Sequence, residues 1–104
     1  MFDIKRMPTH PGEILREEFM APMGLTQTGL ARDLKTSFRT INEIVNGKRA
    51  ITPDLALRLS KFFGTSEELW LNLQNQYDLY KERVKKSSIL NKIVPYRKSR
   101  KAIA

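Results

Sequence analysis

The residues best suited to chemistry in this chain lie between Gln27 and Arg49, and the chemistry is hydrogen bonding to a nucleic acid. Arg39 can fork onto guanine O6 and N7, Asn42 can pair with adenine, and Phe38 can pack on a thymine methyl. Together with Glu43 they take the outward positions of one short helix. Around them stand donors of the phosphate-binding kind: Gln27, Ser37, Thr40, Asn46, Lys48 and Arg49. From Lys35 to Arg49 there are four basic residues and one acidic, so the local field is positive.

Other chemistries find little support. His10 is the sole histidine and there is no cysteine, so a metal site is not expected, and His10 is read as a helix cap. Glu17 and Glu18 are adjacent and point to different faces, which suits solvated surface better than an acid–base pair. Gly47 and Gly64 read as helix terminators, not parts of a phosphate loop. Neither catalysis nor a cofactor is expected.

Helices must position the Gln27–Arg49 group. Pro11 opens a first helix, with Ile14, Leu15 and Phe19 on its apolar stripe, and Pro22 and Gly24 are expected to stop it. Thr26 caps a second over Gln27 to Leu34, with Leu30, Ala31 and Leu34 inward. Ser37 caps a third over Phe38 to Val45, ended by Asn46-Gly47. Its inward residues are Ile41, Ile44 and Val45. Thr52 with Pro53 opens a fourth, along which Leu55, Leu57, Leu59, Phe62 and Phe63 occur before Gly64. Thr65 or Ser66 caps a fifth, in which Leu69, Trp70, Leu73, Tyr77 and Tyr80 recur at threes and fours. The second and third helices are separated by only Lys35 to Ser37, with small Ala31 where they would touch. That is the helix-turn-helix plan, whose second helix enters the DNA major groove. The same pattern also occurs in plain helix packing.

Length and charge bound the rest. A chain of 104 residues is one domain with one core. The 19 Lys and Arg exceed the 11 Asp and Glu, but unevenly. Through Tyr80 ten basic residues face ten acidic ones; from Lys81 on, nine basic residues accompany Glu82 alone. The excess therefore belongs to a C-terminal extension, whose final ten residues read as disordered. Within it Ile89, Leu90, Ile93 and Val94 recur at roughly helical spacing. No apolar run is long enough for a membrane span, and the N-terminus does not read as a signal peptide, so a cytoplasmic protein is expected.

Four runs decide between packing and reading: HPGEILREEF at His10–Phe19, INEIVNGKRAIT at Ile41–Thr52, ALRLSKFFGTS at Ala56–Ser66 and WLNLQNQYDL at Trp70–Leu79. In order and spacing the chain resembles the HigA-type antitoxins of the Cro/repressor-like (XRE) helix-turn-helix family. The resemblance implies an all-α, five-helix lambda-repressor-like helix-turn-helix domain over residues 10–80, after an N-terminal arm (1–9) and before the basic extension (81–104). It implies a homodimer that binds double-stranded operator DNA, represses its own operon and neutralises a cognate HigB-type toxin, typically a ribosome-dependent mRNA endonuclease. By position it makes Thr36, Ser37, Phe38, Arg39, Asn42 and Glu43 the base-facing set. Gln27, Lys48 and Arg49 become phosphate contacts, with Lys35, Thr40 and Asn46 beside them. The dimer contact falls on Leu69, Trp70, Leu73 and Tyr77. Glu13, Glu17 and Glu18 are the one acidic cluster to offer a basic toxin. Two features depart from the family. Its turn usually carries Gly where this chain has Lys35, a residue type uncommon at φ > 0, and it usually ends soon after the Tyr-Asp-Leu of the fifth helix. The alternatives are a stand-alone repressor without a toxin, and a toxin- or RNA-binding protein whose basic tail does the binding.

Overall fold

The computed structural model describes residues 7–96. Five helical segments follow one another, with no strand among the described residues. Helix α1 is made of three consecutive pieces, Pro11–Ile14, a π-helical stretch Leu15–Met20, and Ala21–Met23. Then come α2 (Gln27–Asp33), α3 (Phe38–Val45), α4 (Pro53–Phe63) and α5 (Glu67–Leu90). The expected disorder of the C-terminus falls, from residue 97 on, outside the described residues.

Side-chain caps start all five. His10 Nδ1 accepts from the Gly12 amide at 2.9 Å. Thr26, Ser37, Thr52 and Ser66 likewise accept from an amide three residues on. Each cap satisfies a backbone donor that the first turn leaves without a partner. Between the two expected cap candidates of α5, Ser66 takes the role, and Thr65 Oγ1 accepts from Trp70 Nε1 at 2.8 Å.

Pro22 does not stop α1; it sits inside the helix, and Gly24, at φ 66°, ends it. Proline has no amide to donate, and its ring crowds the carbonyl one turn back. The π-helical stretch just before it, where the Ala21 amide reaches back to Arg16, adds the room that lets the helix continue. Past Tyr80 the first part of the basic extension continues α5 as far as Leu90, with one non-helical residue at Lys86 (φ −110°, ψ 16°).

The core gathers Leu15, Leu30, Ala31, Leu34, Ile41, Ile44, Leu55, Leu59 and Trp70, all buried. Phe19 and Phe63 close it, their rings 4.9 Å apart and each against Trp70. Leu57 and Phe62, on the other side of α4, are exposed. Gly12 is the tightest contact: a Cβ there would overlap the Ile44 carbonyl oxygen, so α1 sits directly on the C-terminal turn of α3. No buried side-chain polar atom among the described residues lacks a partner, as a well-ordered core requires.

Candidate nucleic-acid interface

Helices α2 and α3 meet across the turn Leu34–Ser37. Lys35 stands at φ 59°, the one non-glycine residue at positive φ among those described. This left-handed turn lets the Thr36 amide reach back to the Ala31 carbonyl at 2.9 Å, closing α2 in the manner usually given to glycine. Arg58 of α4 completes the turn. Its Nη1 donates to the Leu34 and Lys35 carbonyls, both at 2.8 Å, while its Nε is held by Asp54. Arg58 thus supplies a cation where the α2 dipole ends.

The outer face of α3 carries Phe38 and Arg39, 51% exposed overall and 82% exposed at the side chain. Glu43, one turn on, binds two arginines at once. Its Oε2 accepts from Arg39 Nε at 2.9 Å and its Oε1 from Arg49, 2.7 Å from the guanidinium Nη2. The hydrogen bond from Arg39, then that from Arg49, holds the Glu43 carboxyl below its ordinary range, and the same pairing raises Arg39. Glu43 therefore organises the cations of this face. Asn42 is half-buried, and its Nδ2 donates to Gln27 Oε1 at 2.9 Å. That bond ties the start of α2 to the middle of α3 and leaves the Gln27 amide group as a donor. Ser37 uses its oxygen on the Thr40 amide and shares a hydrogen bond with the Thr40 hydroxyl. Asn46, Lys48 and Arg49 are exposed just past the end of α3, and Lys35 and Thr36 lie in the turn before it.

Of the expected dimer residues, Leu69 is on the surface and Leu73 and Tyr77 are partly buried. Trp70 requires correction. It is fully buried within the protomer, packed on Phe19 and Phe63, so its ring faces the core and not a partner. Spacing could not separate the two, because the core face and the outer face of α5 both repeat at threes and fours.

Two residues that the sequence did not single out hold the frame. Arg58 is one. The other is Gln74, 5% exposed, whose Oε1 accepts from the Ile51 amide at 2.8 Å and whose Nε2 donates to Asp78. It fastens the segment after α3 to α5. Their partners stand 23 and 24 residues away, beyond any local spacing rule. His10 is where the sequence put it, capping α1. Its ring also meets Tyr77 edge-on at 4.8 Å, and burial, opposed by Asp78, pulls its pKa below the ordinary 6.5.

A cation-bearing helix displayed across a tight turn from a supporting helix is the DNA-reading unit of a regulator. The chain belongs to the helix-turn-helix family, whose model matches residues 15–70. It is 52% identical over 86 residues to virulence-associated protein I of Dichelobacter nodosus, covering 83% of this chain and 79% of that one. Antitoxin HigA-1 of Vibrio cholerae is 37% identical over 79 residues, covering 76% of this chain and 74% of its own. Among solved structures, a Pseudomonas aeruginosa antitoxin HigA with the higBA promoter is similar at a TM-score of 0.82 and 41% identity, over 86% of this chain and 98% of that one. The all-α helix-turn-helix fold and the HigA-type resemblance therefore stand, and the chain is a helix-turn-helix DNA-binding regulator. Among the described residues no helix is long and apolar enough to cross a membrane, and no three potential metal ligands cluster.

Proposed function

We propose that this protein is a cytoplasmic, homodimeric antitoxin that represses its own toxin–antitoxin operon and neutralises the toxin encoded with it. The observation that carries the reading is the likeness, over nearly the whole of that chain, to an antitoxin HigA solved with the higBA promoter. It is joined to the exposed Phe38–Arg39 face of α3. In this reading Phe38 and Arg39 contact base edges. Asn42, Glu43, Ser37 and Thr36 hold them in place or reach the flanks of the groove. Gln27, Thr40, Asn46, Lys48 and Arg49 take phosphates, with Lys35 at the margin. Domain limits follow the same logic, with residues 10–80 as the reading and dimerisation unit.

The test has two arms. The purified protein is titrated with duplex carrying its own promoter and with a scrambled duplex, and it is co-expressed with the neighbouring reading frame. Promoter binding at least roughly a thousandfold tighter than scrambled, together with rescue of growth, supports the reading. Specific binding without rescue makes the protein a stand-alone repressor. Binding that ignores sequence overturns the repressor role.

A further inference from the structure

The start of the basic extension has a definite place in the fold. Lys81 Nζ lies 5.2 Å from the centre of the Tyr77 ring, and that ring packs against His10. His10 and Tyr77 line one small cleft with Val45, Asn46 and Gly47, the end of the reading helix. The basic stretch thus begins beside the C-terminal end of α3, next to Asn46 and the exposed Lys48 and Arg49 that follow it. Tyr77, Lys81 and Lys85 stand four residues apart on the regular part of α5. They therefore share a face that runs on for roughly 12 Å from the Tyr77 contact.

Every described residue from Lys81 to Tyr96 is exposed. The one acid there, Glu82, lies 3.9 Å from Lys85 and 3.6 Å from Lys86, a surface pairing too weak to withhold either lysine. The body through Tyr80 is balanced, ten charges against ten, while the extension carries nine basic residues against one acid. Within α5 itself, Lys81, Arg83, Lys85 and Lys86 stand against Glu82 alone past Tyr80, and such a stretch draws in a polyanion.

We propose that the Lys81–Lys85 face of α5 grips backbone phosphates of the bound duplex, outside the base pairs that α3 reads. The inference rests on the DNA-binding reading above and adds a second, sequence-blind contact to it. Exposed Ile89, Leu90, Ile93 and Val94 lie past the irregular Lys86 and offer the rival use of the extension, an apolar contact with a protein.

The experiment compares full-length wild type, Lys81→Ala/Lys85→Ala and Arg83→Ala on two duplexes, the operator alone and the operator with added flanking DNA. Helical content is checked by circular dichroism. Arg83, two residues from Lys81, is turned about 200° away from it. The expected result is tighter binding of wild type to the flanked duplex. In the double lysine variant that advantage should vanish and the log–log salt slope should fall by roughly 2. Arg83→Ala should keep both, and operator-only binding should stay specific in every protein. Three results overturn the inference: no flank advantage in wild type, an Arg83 effect equal to that of the lysines, or a loss produced by Ile89→Ser/Ile93→Ser while the double lysine variant behaves as wild type. Each leaves specific operator binding intact. Loss of specificity on the operator alone, in wild type, would instead sink the DNA-binding reading and this inference with it.

Discussion

At the scale of single residues, the decisive feature is that Glu43 sits among the cations it would be expected to weaken. Its carboxylate holds Arg39 and Arg49, so it fixes their direction while lowering the positive field that any duplex feels. Glu43→Gln should therefore raise affinity for scrambled DNA and cut the operator-to-scrambled ratio about tenfold, within the range set by one well-placed base contact. Titrations at two salt concentrations check it, and a ratio that stays at the wild-type value would remove Glu43 from any organising role. Lys48 should act differently. Lys48→Ala is expected to weaken every sequence alike and to lower the salt slope by about 1, as the loss of one phosphate contact does. Part of this site was readable before the fold was known. Arg39 and Glu43 are four apart on a helix, a spacing that announces an ion pair. The second arginine on the same carboxylate, and the Asn42–Gln27 bond across 15 residues, depend on how two helices cross, which no local pattern records.

At the scale of the element, caps carried most of the legible information. Thr26, Ser37, Thr52 and Ser66 mark helix starts because their side chains replace missing backbone partners, a local effect visible in sequence. Pro22 misled because a proline breaks a helix only if the backbone cannot widen around it, and here it does. The turn before α3 tests how much strain the protein tolerates. Lys35 at φ 59° occupies a conformation that costs an ordinary residue roughly 1–2 kcal/mol. Lys35→Gly should raise the unfolding free energy by about 1 kcal/mol after glycine's own entropy cost, and Lys35→Val should lower it, as urea denaturation would show. The α1 cap brings a pH dependence. His10 has a folded pKa below its ordinary value, chiefly through burial, and its Nδ1 must be unprotonated to accept from Gly12. The folded state thus binds fewer protons than the unfolded one between the two pKa values. Its contribution is complete above about 6.5 and is lost as pH falls through the lower, folded value. Thermal melts from pH 7.5 down to 5 should show a larger drop in Tm for wild type than for His10→Asn, which keeps a cap without titrating. Parallel curves would detach His10 from acid sensitivity.

At the scale of the whole molecule, the question is which apolar surface belongs to the core and which to a partner. Trp70 and Leu69 are neighbours in sequence and opposites in environment. Trp70 is enclosed by Phe19 and Phe63, so Trp70→Ala should cost about 3–5 kcal/mol of stability whether or not a dimer forms. Leu69, 36% exposed, sits on the outer side of α5, with partly buried Leu73 one turn further on. A two-fold dimer presents one patch to its own copy, and an exposed leucine beside a half-covered one provides such a patch. In the proposed dimer, two-fold symmetry would set the DNA: two inverted half-sites with centres roughly 34–36 Å apart. Leu69→Glu places like charges face to face across the two-fold axis while leaving the core untouched. The variant should keep its melting temperature within a few degrees, sediment as a monomer, and bind a single half-site as wild type does. On the full operator it should bind at least tenfold more weakly, because the second half-site no longer arrives as an intramolecular contact. A variant that remains dimeric would move the interface off Leu69, and the exposed Leu57–Phe62 side of α4 would become the surface to change next. A monomer with undiminished operator affinity would show instead that each protomer reads its half-site alone.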